Sequence, residues 1–504
     1  MKKYLALVLA LAMMLTMVAI PTMAEEDNRP TIRVTILDRA QVPADQGTYE
    51  DNWATRWINE NSPVKVDFVA CPRGSTYSNY NLWLAAGEAP DVIMEFQPEY
   101  VEEWANAGLL IDMKDYLDEY APNYRKLTPE ATQKWGIYNG GEYAITQERF
   151  ANSVVNHMIY VRQDWLDNLG LSIPTSWEEL ENVIRAFSEN DPDGNGQNDT
   201  WGWSMIGHYQ TAILSMYGVN GNAWYKQEDG TFENANLMPE RLEAVKFMEK
   251  IVDNGWCDKE WLSNPDDQYS QFATGKLGFL ACEHANLQNR AWDTLKANFP
   301  DAKVSVMPSF TGYGYYQERE CSFLSCVPTT CKNPEAVAQY IDWMITDGWE
   351  KLTYGDEGVD FKKEGDLYID LLTPEQRTAK LQYTGEYAIV RPYGTDAERY
   401  METAKALSDD NTRKEAYIID AESVAMTENI KYRRDTPTAN LGVALVVESM
   451  TDMNTYAGEQ WSKALLDGNY TAEQAQEDIA NEWANMDYDL VKEAFNEEAA
   501  KLGL

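Results

Sequence analysis

Thr31-Ile32-Arg33-Val34-Thr35-Ile36-Leu37-Asp38 is the stretch on which the fold turns. Ile32, Val34 and Ile36 alternate with polar neighbours, the period of a strand with one face turned to a core. Val64, Val66 and Phe68 repeat the alternation downstream, and between the two runs Trp53, Trp57 and Ile58 fall at helical spacing. A third apolar run follows at Asp91-Val92-Ile93-Met94. Strand, helix, strand and strand again predicts the opening of an α/β lobe with a largely parallel sheet.

Upstream, Met1-Lys2-Lys3 precedes an apolar run from Tyr4 to Ile20, and Thr22-Met23-Ala24 offers a small-residue cleavage site before Glu25. Residues 1–24 therefore read as a secretory signal peptide, which places the mature chain outside the cytoplasm: secreted, surface-associated or periplasmic. About 480 residues remain, more than a single hydrophobic core sustains, so two or more lobes are expected. Asp and Glu number 82 against 42 Lys and Arg, a net charge of -40. Such a field repels phosphate backbones and anionic lipid, which disfavours nucleic acid and a membrane surface as partners. Six cysteines without a paired C-x-x-C arrangement read as buried small residues, with one bridge at most, and not as a zinc site.

Downstream, Thr175-Ser176-Trp177-Glu178 reads as a capping box that opens a helix with Leu180, Val183, Ile184 and Phe187 on one face. Similar faces occur at Leu242, Val245, Met248 and Val252, and at Val337, Tyr340, Ile341 and Met344. From about Thr451 the chain is acidic and helix-rich, with Tyr456, Trp461, Leu465, Trp483, Tyr488 and Phe495 as packing residues. No internal repeat or low-complexity linker separates the lobes, which suggests that the chain passes back and forth between them.

Asp191-Pro192-Asp193-Gly194-Asn195-Gly196-Gln197-Asn198-Asp199 has the spacing of an EF-hand-like calcium loop. Asp191, Asp193, Asn195 and Asp199 would give side-chain oxygens and Gln197 its backbone carbonyl to Ca2+, while Gly196 permits the turn. The twelfth position is Gly202, without the bidentate Glu of a sensor, so a static, structural ion is expected. The chain also has 17 Trp and 30 Tyr against 13 Phe. Flat rings with a polar edge suit sugars, and the clusters at Trp201-Gly202-Trp203, His208-Tyr209, Trp224-Tyr225 and Tyr313-Gly314-Tyr315-Tyr316 supply them. Catalytic signatures are scarce: the three histidines form no H-E-x-x-H, and there is no G-x-S-x-G elbow or P-loop. The chain reads as no enzyme, although so many carboxylates leave a glycosidase-type pair open.

Tyr354-Gly355-Asp356-Glu357-Gly358-Val359-Asp360, Ala89-Pro90-Asp91-Val92-Ile93, Arg162-Gln163-Asp164-Trp165-Leu166, Pro174-Thr175-Ser176-Trp177 and Phe272-Ala273-Thr274-Gly275-Lys276-Leu277-Gly278 follow one another in an order specific to one family. With them the chain resembles the family 1 extracellular solute-binding proteins, the substrate-binding components of ABC sugar importers, in the large Gram-positive oligosaccharide-type branch. The resemblance implies a two-lobed periplasmic-binding-protein-like fold of type II, in which two α/β lobes joined by crossing segments close over a ligand, and a helix-rich C-terminus. It places a first lobe at 25–148 and 283–325, a second at 149–282 and 326–450, and C-terminal helices at 451–504 packing on the lobes. The crossings are expected near Ile145 to Asn152, Leu280 to Glu283 and Leu324 to Val327. The calcium-type loop resembles that of alginate-binding members, with Thr200 where they carry a further acid.

By position in that fold, the ligand-binding residues are expected to be Asp38, Arg39, Glu95, Phe96, Gln147, Glu148, Glu283 and His284, with Tyr209, Trp224 and Tyr315 stacking on sugar rings alongside Phe96. Arg162 and Asp164 are assigned to structure. The expected protein is a monomer that captures a neutral or weakly charged oligosaccharide and delivers it to ABC transporter permease subunits. Surface-tethered members carry a lipid-bearing Cys directly after the signal; the first Cys here is Cys71, so no lipid anchor is expected. The alternatives are a secreted carbohydrate-active enzyme with a carboxylate pair and a receptor for a non-sugar solute such as a peptide.

Overall fold

The strand at Thr31–Asp38 is β1 of a computed structural model that describes residues 27–149, 157–261, 263, 268–314, 319–365, 367–392, 415–432, 436–437 and 440–504. The signal segment expected at 1–24 lies outside the described residues. The principal elements follow in chain order: α1 (Trp53–Asn61), β2 (Lys65–Pro72), β3 (Ile93–Glu95), α2 (Pro98–Asn106), β4 (Ala144–Glu148), β5 (His157–Arg162), α3 (Trp177–Glu189), α4 (Gly207–Met216), β6 (Phe279–Glu283), β7 (Val304–Val306), β8 (Cys321–Cys326), α5 (Pro334–Trp343), α6 (Ala416–Ile430), α7 (Ala444–Leu466), α8 (Ala472–Asn485) and α9 (Tyr488–Leu502).

β1 and β2 run parallel in unbroken register from Thr31↔Lys65 to Asp38↔Pro72. The other edge of β1 meets the run entering β3: the Thr35 N–H donates to the Val92 carbonyl at 2.9 Å and the Val92 N–H to the Arg33 carbonyl at 3.0 Å. β8 lies antiparallel between β3 and β4, which completes the order β2-β1-β3-β8-β4. Successive residues of a strand face opposite sides, and the sheet is buried on both. Val92, Met94 and Ile145 pack with β1, α5 and Tyr387 on one side. Ile93, Ala144 and Leu324 pack with Tyr80 and Trp104 on the other.

The second lobe is built on the three-stranded antiparallel sheet β6-β5-β7. Its core takes in the expected face of α3, the tryptophans of the C-terminal helices, and Ile418 and Ile419 of α6. The helices of 451–504 are thus part of this second core, and α7 also touches α2 of the first lobe.

Two expected crossings are corrected. Leu280–Glu283 is not one, because β6 pairs with β5 along its whole length and Leu287, Trp292, Leu295 and Val304 remain in the same core. Residues 283–307 therefore belong to the second lobe. Leu324–Val327 is not one either: Val327, Val337, Ile341, Tyr387 and Val390 pack in the core of β1, which gives 326–392 to the first lobe. The chain passes between the cores after β4, between β7 and β8, and again between Arg391 and α6. A strand of three residues such as β7 carries too little alternation to announce itself, so the return to the second sheet was invisible in sequence.

All six cysteines are buried and unbridged. Among the described residues no helix is long and apolar enough to cross a membrane.

Candidate ligand-binding cleft

Because β8 runs against both its neighbours, β1, β2, β3 and β4 all finish at one edge of the first sheet, and β8 starts there. The passages to the second lobe leave from the same edge, where the Arg149 N–H donates to the Glu320 carbonyl at 2.9 Å. Side chains just beyond the strand ends therefore face the second lobe, as ligand-binding residues do in open α/β sheets.

Of the expected residues, Asp38, Arg39, Glu95, Phe96, Gln147 and Glu148 stand at this edge. Asp38 is committed locally, since its Oδ1 accepts the Ala40 N–H at 2.7 Å where Ala40 takes a φ of 55°. Arg39 pairs with Glu386 at 2.6 Å. The Phe96 ring carries the Arg73 guanidinium 4.8 Å and the Arg39 guanidinium 5.8 Å from its centroid, and Arg319 donates to the Phe96 carbonyl. Glu95 Oε1 accepts the N–H groups of Phe96 and Gln97 at 2.6 and 3.1 Å, which anchors the start of α2. Gln147 donates its amide to the Ala388 carbonyl at 2.5 Å. Glu95 Oε2 and Gln147 Oε1 are buried without a hydrogen-bond partner among the described residues, two acceptors of the kind a sugar hydroxyl satisfies. Glu148 is buried, and its backbone faces Cys321 across the ladder.

The second lobe presents the start of β5 and the end of β6, where Glu283 is paired with His157 and His284 follows. The three histidines, far apart in sequence, gather here: the His157 and His208 rings are 5.3 Å apart. Burial first, then the neighbouring His208, Arg149 and His284, hold the His157 imidazole well below its usual pKa and so neutral. Arg149 comes from the first lobe, so the two edges lie against each other.

Sequence reasoning missed Arg73, Arg149, Arg319, Glu386, Arg391 and His157. The position directly after β2 and β4 would have found Arg73 and Arg149; Glu386 and Arg391 arrive from a distant segment that no spacing connects to the strands. Burial raises the Glu386 carboxyl pKa against the pull of Arg39, Arg73 and Arg391, and it holds Arg391 down at about 10, still a cation at neutral pH.

Two expected ligand contacts are corrected. Tyr209 is fully buried and donates its hydroxyl to the Phe279 carbonyl at 2.9 Å. Trp224 lies flat on Phe495, with centroids 4.1 Å apart, and serves to seat α9. Both rings are spent on the core. Tyr315 lies outside the described residues. Arg162 is structural as assigned: it is buried, forks onto Asp164 at 2.9 and 2.7 Å and lies over Trp165.

Away from the cleft, the loop after α3 brings its acidic residues together through one amide. Asn195 Nδ2 donates to Asp193 at 2.8 Å and to Asp199 at 3.3 Å, while Asp191 accepts the Asn195 and Gly196 N–H groups at 3.0 and 2.9 Å. Lys276 pairs with Asp199. Burial and the adjoining Asp191 and Asp199 raise the Asp193 pKa. Among the described residues no three His, Cys, Asp or Glu stand as a ready-made metal cluster. Gly202, at the twelfth loop position, has a physical reason: a Cβ there would overlap the Ile184 backbone.

Comparison with known proteins agrees with this architecture. The chain is 27% identical over 349 residues to the polygalacturonan/rhamnogalacturonan-binding protein YtcQ of Bacillus subtilis, covering 66% of each chain. It is 26% identical over 310 residues to the fructooligosaccharide ABC transporter substrate-binding protein FusA of Streptococcus pneumoniae, covering 55% of each. The chain thus spans 66% and 55% of the length of these two relatives. Its fold is that of the alginate-binding protein AlgQ2, with a TM-score of 0.73 at 17% identity over 94% of this chain and 98% of that one. The sequence profile described as bacterial extracellular solute-binding protein matches residues 41–351, and the chain belongs to that family.

Proposed function

We propose that this protein is the extracytoplasmic binding component of an ABC importer, which takes an oligosaccharide between its two lobes, closes over it and delivers it unaltered to permease subunits. The carrying observation is the opposition of two strand-end edges across the passages between the lobes, with Phe96 as a ring and Glu95 Oε2 and Gln147 Oε1 as unpartnered buried acceptors on one side. YtcQ and FusA, both described as binding saccharides, support the ligand class. In this reading the protein works as a monomer, Glu283 and His284 meet the ligand from the second lobe, and no bond is broken.

We further propose a structural Ca2+ in the 191–199 loop. Its donor set suits the ion: the oxygens now bridged by the Asn195 amide are hard ligands at EF-hand spacing, and a bound cation would take the place of the Asn195 and Lys276 hydrogens among them. A bound ion would supply charge neutralisation that stiffens the turn after α3.

Melting temperature measured against a glycan panel, with and without chelator, tests both parts. A glycan at a hundred times its Kd adds about 2.7 kcal/mol of apparent stability, and it should be recovered intact. Chelator should lower the melting temperature and added calcium restore it. Cleaved glycan would make the protein an enzyme, and stabilisation by peptides alone would make it a peptide receptor.

A further inference from the structure

Residues 440–443 belong to the second lobe, since Leu441 is buried in its core and α7, which follows, carries Val446, Met450, Met453 and Trp461 into it. Yet the backbone of this segment is bonded to the first lobe. Glu102 of α2 takes the Gly442 N–H on Oε1 at 2.5 Å and the Asn440 N–H on Oε2 at 3.1 Å. Leu441 and Gly442 are left-handed in succession, at φ of 59° and 71°. A left-handed turn of this kind gathers nearby N–H groups on one side, a concavity that fits a carboxylate. Leucine adopts that conformation at a cost, so something outside the segment holds it. The rest of the seat is also first-lobe. Asn139, in the tight turn between Tyr138 and Gly141, stands so close to Gly442 that a Cβ there would overlap its Oδ1, and its Nδ2 donates to Oδ1 of Asn106, the last residue of α2, at 2.6 Å.

Glu102 is fully buried, and no Lys or Arg pairs with it among the described residues. An apolar side chain would fill the same space without the desolvation cost of a carboxyl, but it could not fix two N–H groups in direction. The place of this contact in the fold is equally specific. Val101 and Trp104 of α2 pack with Ile93 and Leu324 on one face of the first sheet, whereas Ile389 and Val390, which lead into the last passage, pack with Val92 and Met94 on the other. The second lobe is therefore held on both flanks of the sheet, by the chain itself on one and by Glu102 on the other. A linkage held on one flank can twist as well as swing, while one held on both is left with a single swing axis. We propose that Glu102 and the 440–442 turn form a second bearing of the interlobe hinge, a positioning contact that persists while the lobes swing and confines them to one axis. The bearing serves a ligand of any chemistry, so it stands or falls separately from the oligosaccharide reading.

Nitroxide labels at Leu82→Cys and Leu490→Cys, exposed positions on the first and second lobes, report the spread of interlobe distances in the full chain without ligand, the six native thiols being buried. Relative to the parent, Glu102→Ala should widen that spread, and Glu102→Gln, which keeps one acceptor, should widen it less. Gly442→Ala, which strains the turn from the second-lobe side, should act like Glu102→Ala. Glu99→Gln, on the exposed face of α2, should leave the spread alone. Hydrogen exchange on the same proteins should show the Gly442 amide at least about tenfold faster in Glu102→Ala, with the amides of β1 and β5 unchanged, which separates a freed hinge from a loosened fold. An interlobe spread unmoved in Glu102→Ala although the Gly442 amide is released overturns the proposal, as does a parent whose Gly442 amide exchanges at the rate of an open loop. Should Glu102→Ala fail to fold, Gly442→Ala decides, and a spread equal to the parent's there overturns it as well.

Discussion

At the scale of single residues, the segment Tyr354–Asp360 repays attention because each of its marked positions has a mechanical reason. The Asp360 carboxylate accepts the Asp356 N–H at 2.8 Å and the Lys380 ammonium at 2.7 and 2.6 Å. Gly355 adopts a φ of 86°, and a Cβ on it would overlap Asp360 Oδ2. Gly355→Ala should therefore cost about 1–3 kcal/mol in urea unfolding, and a loss within measurement error would show that the turn relaxes freely. Burial works against the Asp360 charge, but Lys380 and the Asp356 amide outweigh it and lower the pKa. The stability this group confers is present above the ordinary carboxylate range and lost as pH falls. What sequence could say at this scale was uneven. Residues that end strands, such as Arg39 and Phe96, were legible because strand ends fix position. Tyr209 and Trp224 were misread because an aromatic has the same identity whether it faces a groove or a core.

At the scale of elements, amphipathic helices were read almost to the residue: Leu180, Val183, Ile184 and Phe187 are all buried along α3. Its cap sits one residue later than the box at Thr175–Glu178, since Ser176 Oγ accepts the Glu179 N–H at 3.2 Å and Glu179 reaches back to Thr175. Ser176→Ala should destabilise the protein by about 1 kcal/mol, read as a lowered denaturation midpoint at constant slope; no shift would assign the capping to Glu179 alone. The misplaced crossings have the opposite cause. Helical periodicity accumulates over a dozen residues, whereas β7 is too short to register, and which of two sheets a strand joins is decided by partners remote in sequence.

At the scale of the molecule, one carboxyl ties the lobes together outside the covalent passages. Glu102, on α2, is fully buried and accepts the Gly442 and Asn440 N–H groups at 2.5 and 3.1 Å. Burial pushes its pKa up to about 8, the two backbone donors pulling the other way. A carboxyl raised in the folded state stabilises fully below its unfolded pKa and loses that contribution as pH rises through the folded value. Between roughly pH 5 and 8 this group should lower stability by up to about 1.4 kcal/mol per pH unit. Glu102→Gln should flatten that slope, and an unchanged slope in the variant would trace it to other groups.

The placement of Glu102 also constrains how the halves can move. Every length of backbone that joins them departs from a single margin, and this carboxyl pins a further stretch on the first lobe beside it. In the closure proposed above, a pivot would leave these joints intact whereas straight separation would break them, so groups beside the joints should travel least and those at the far lip most.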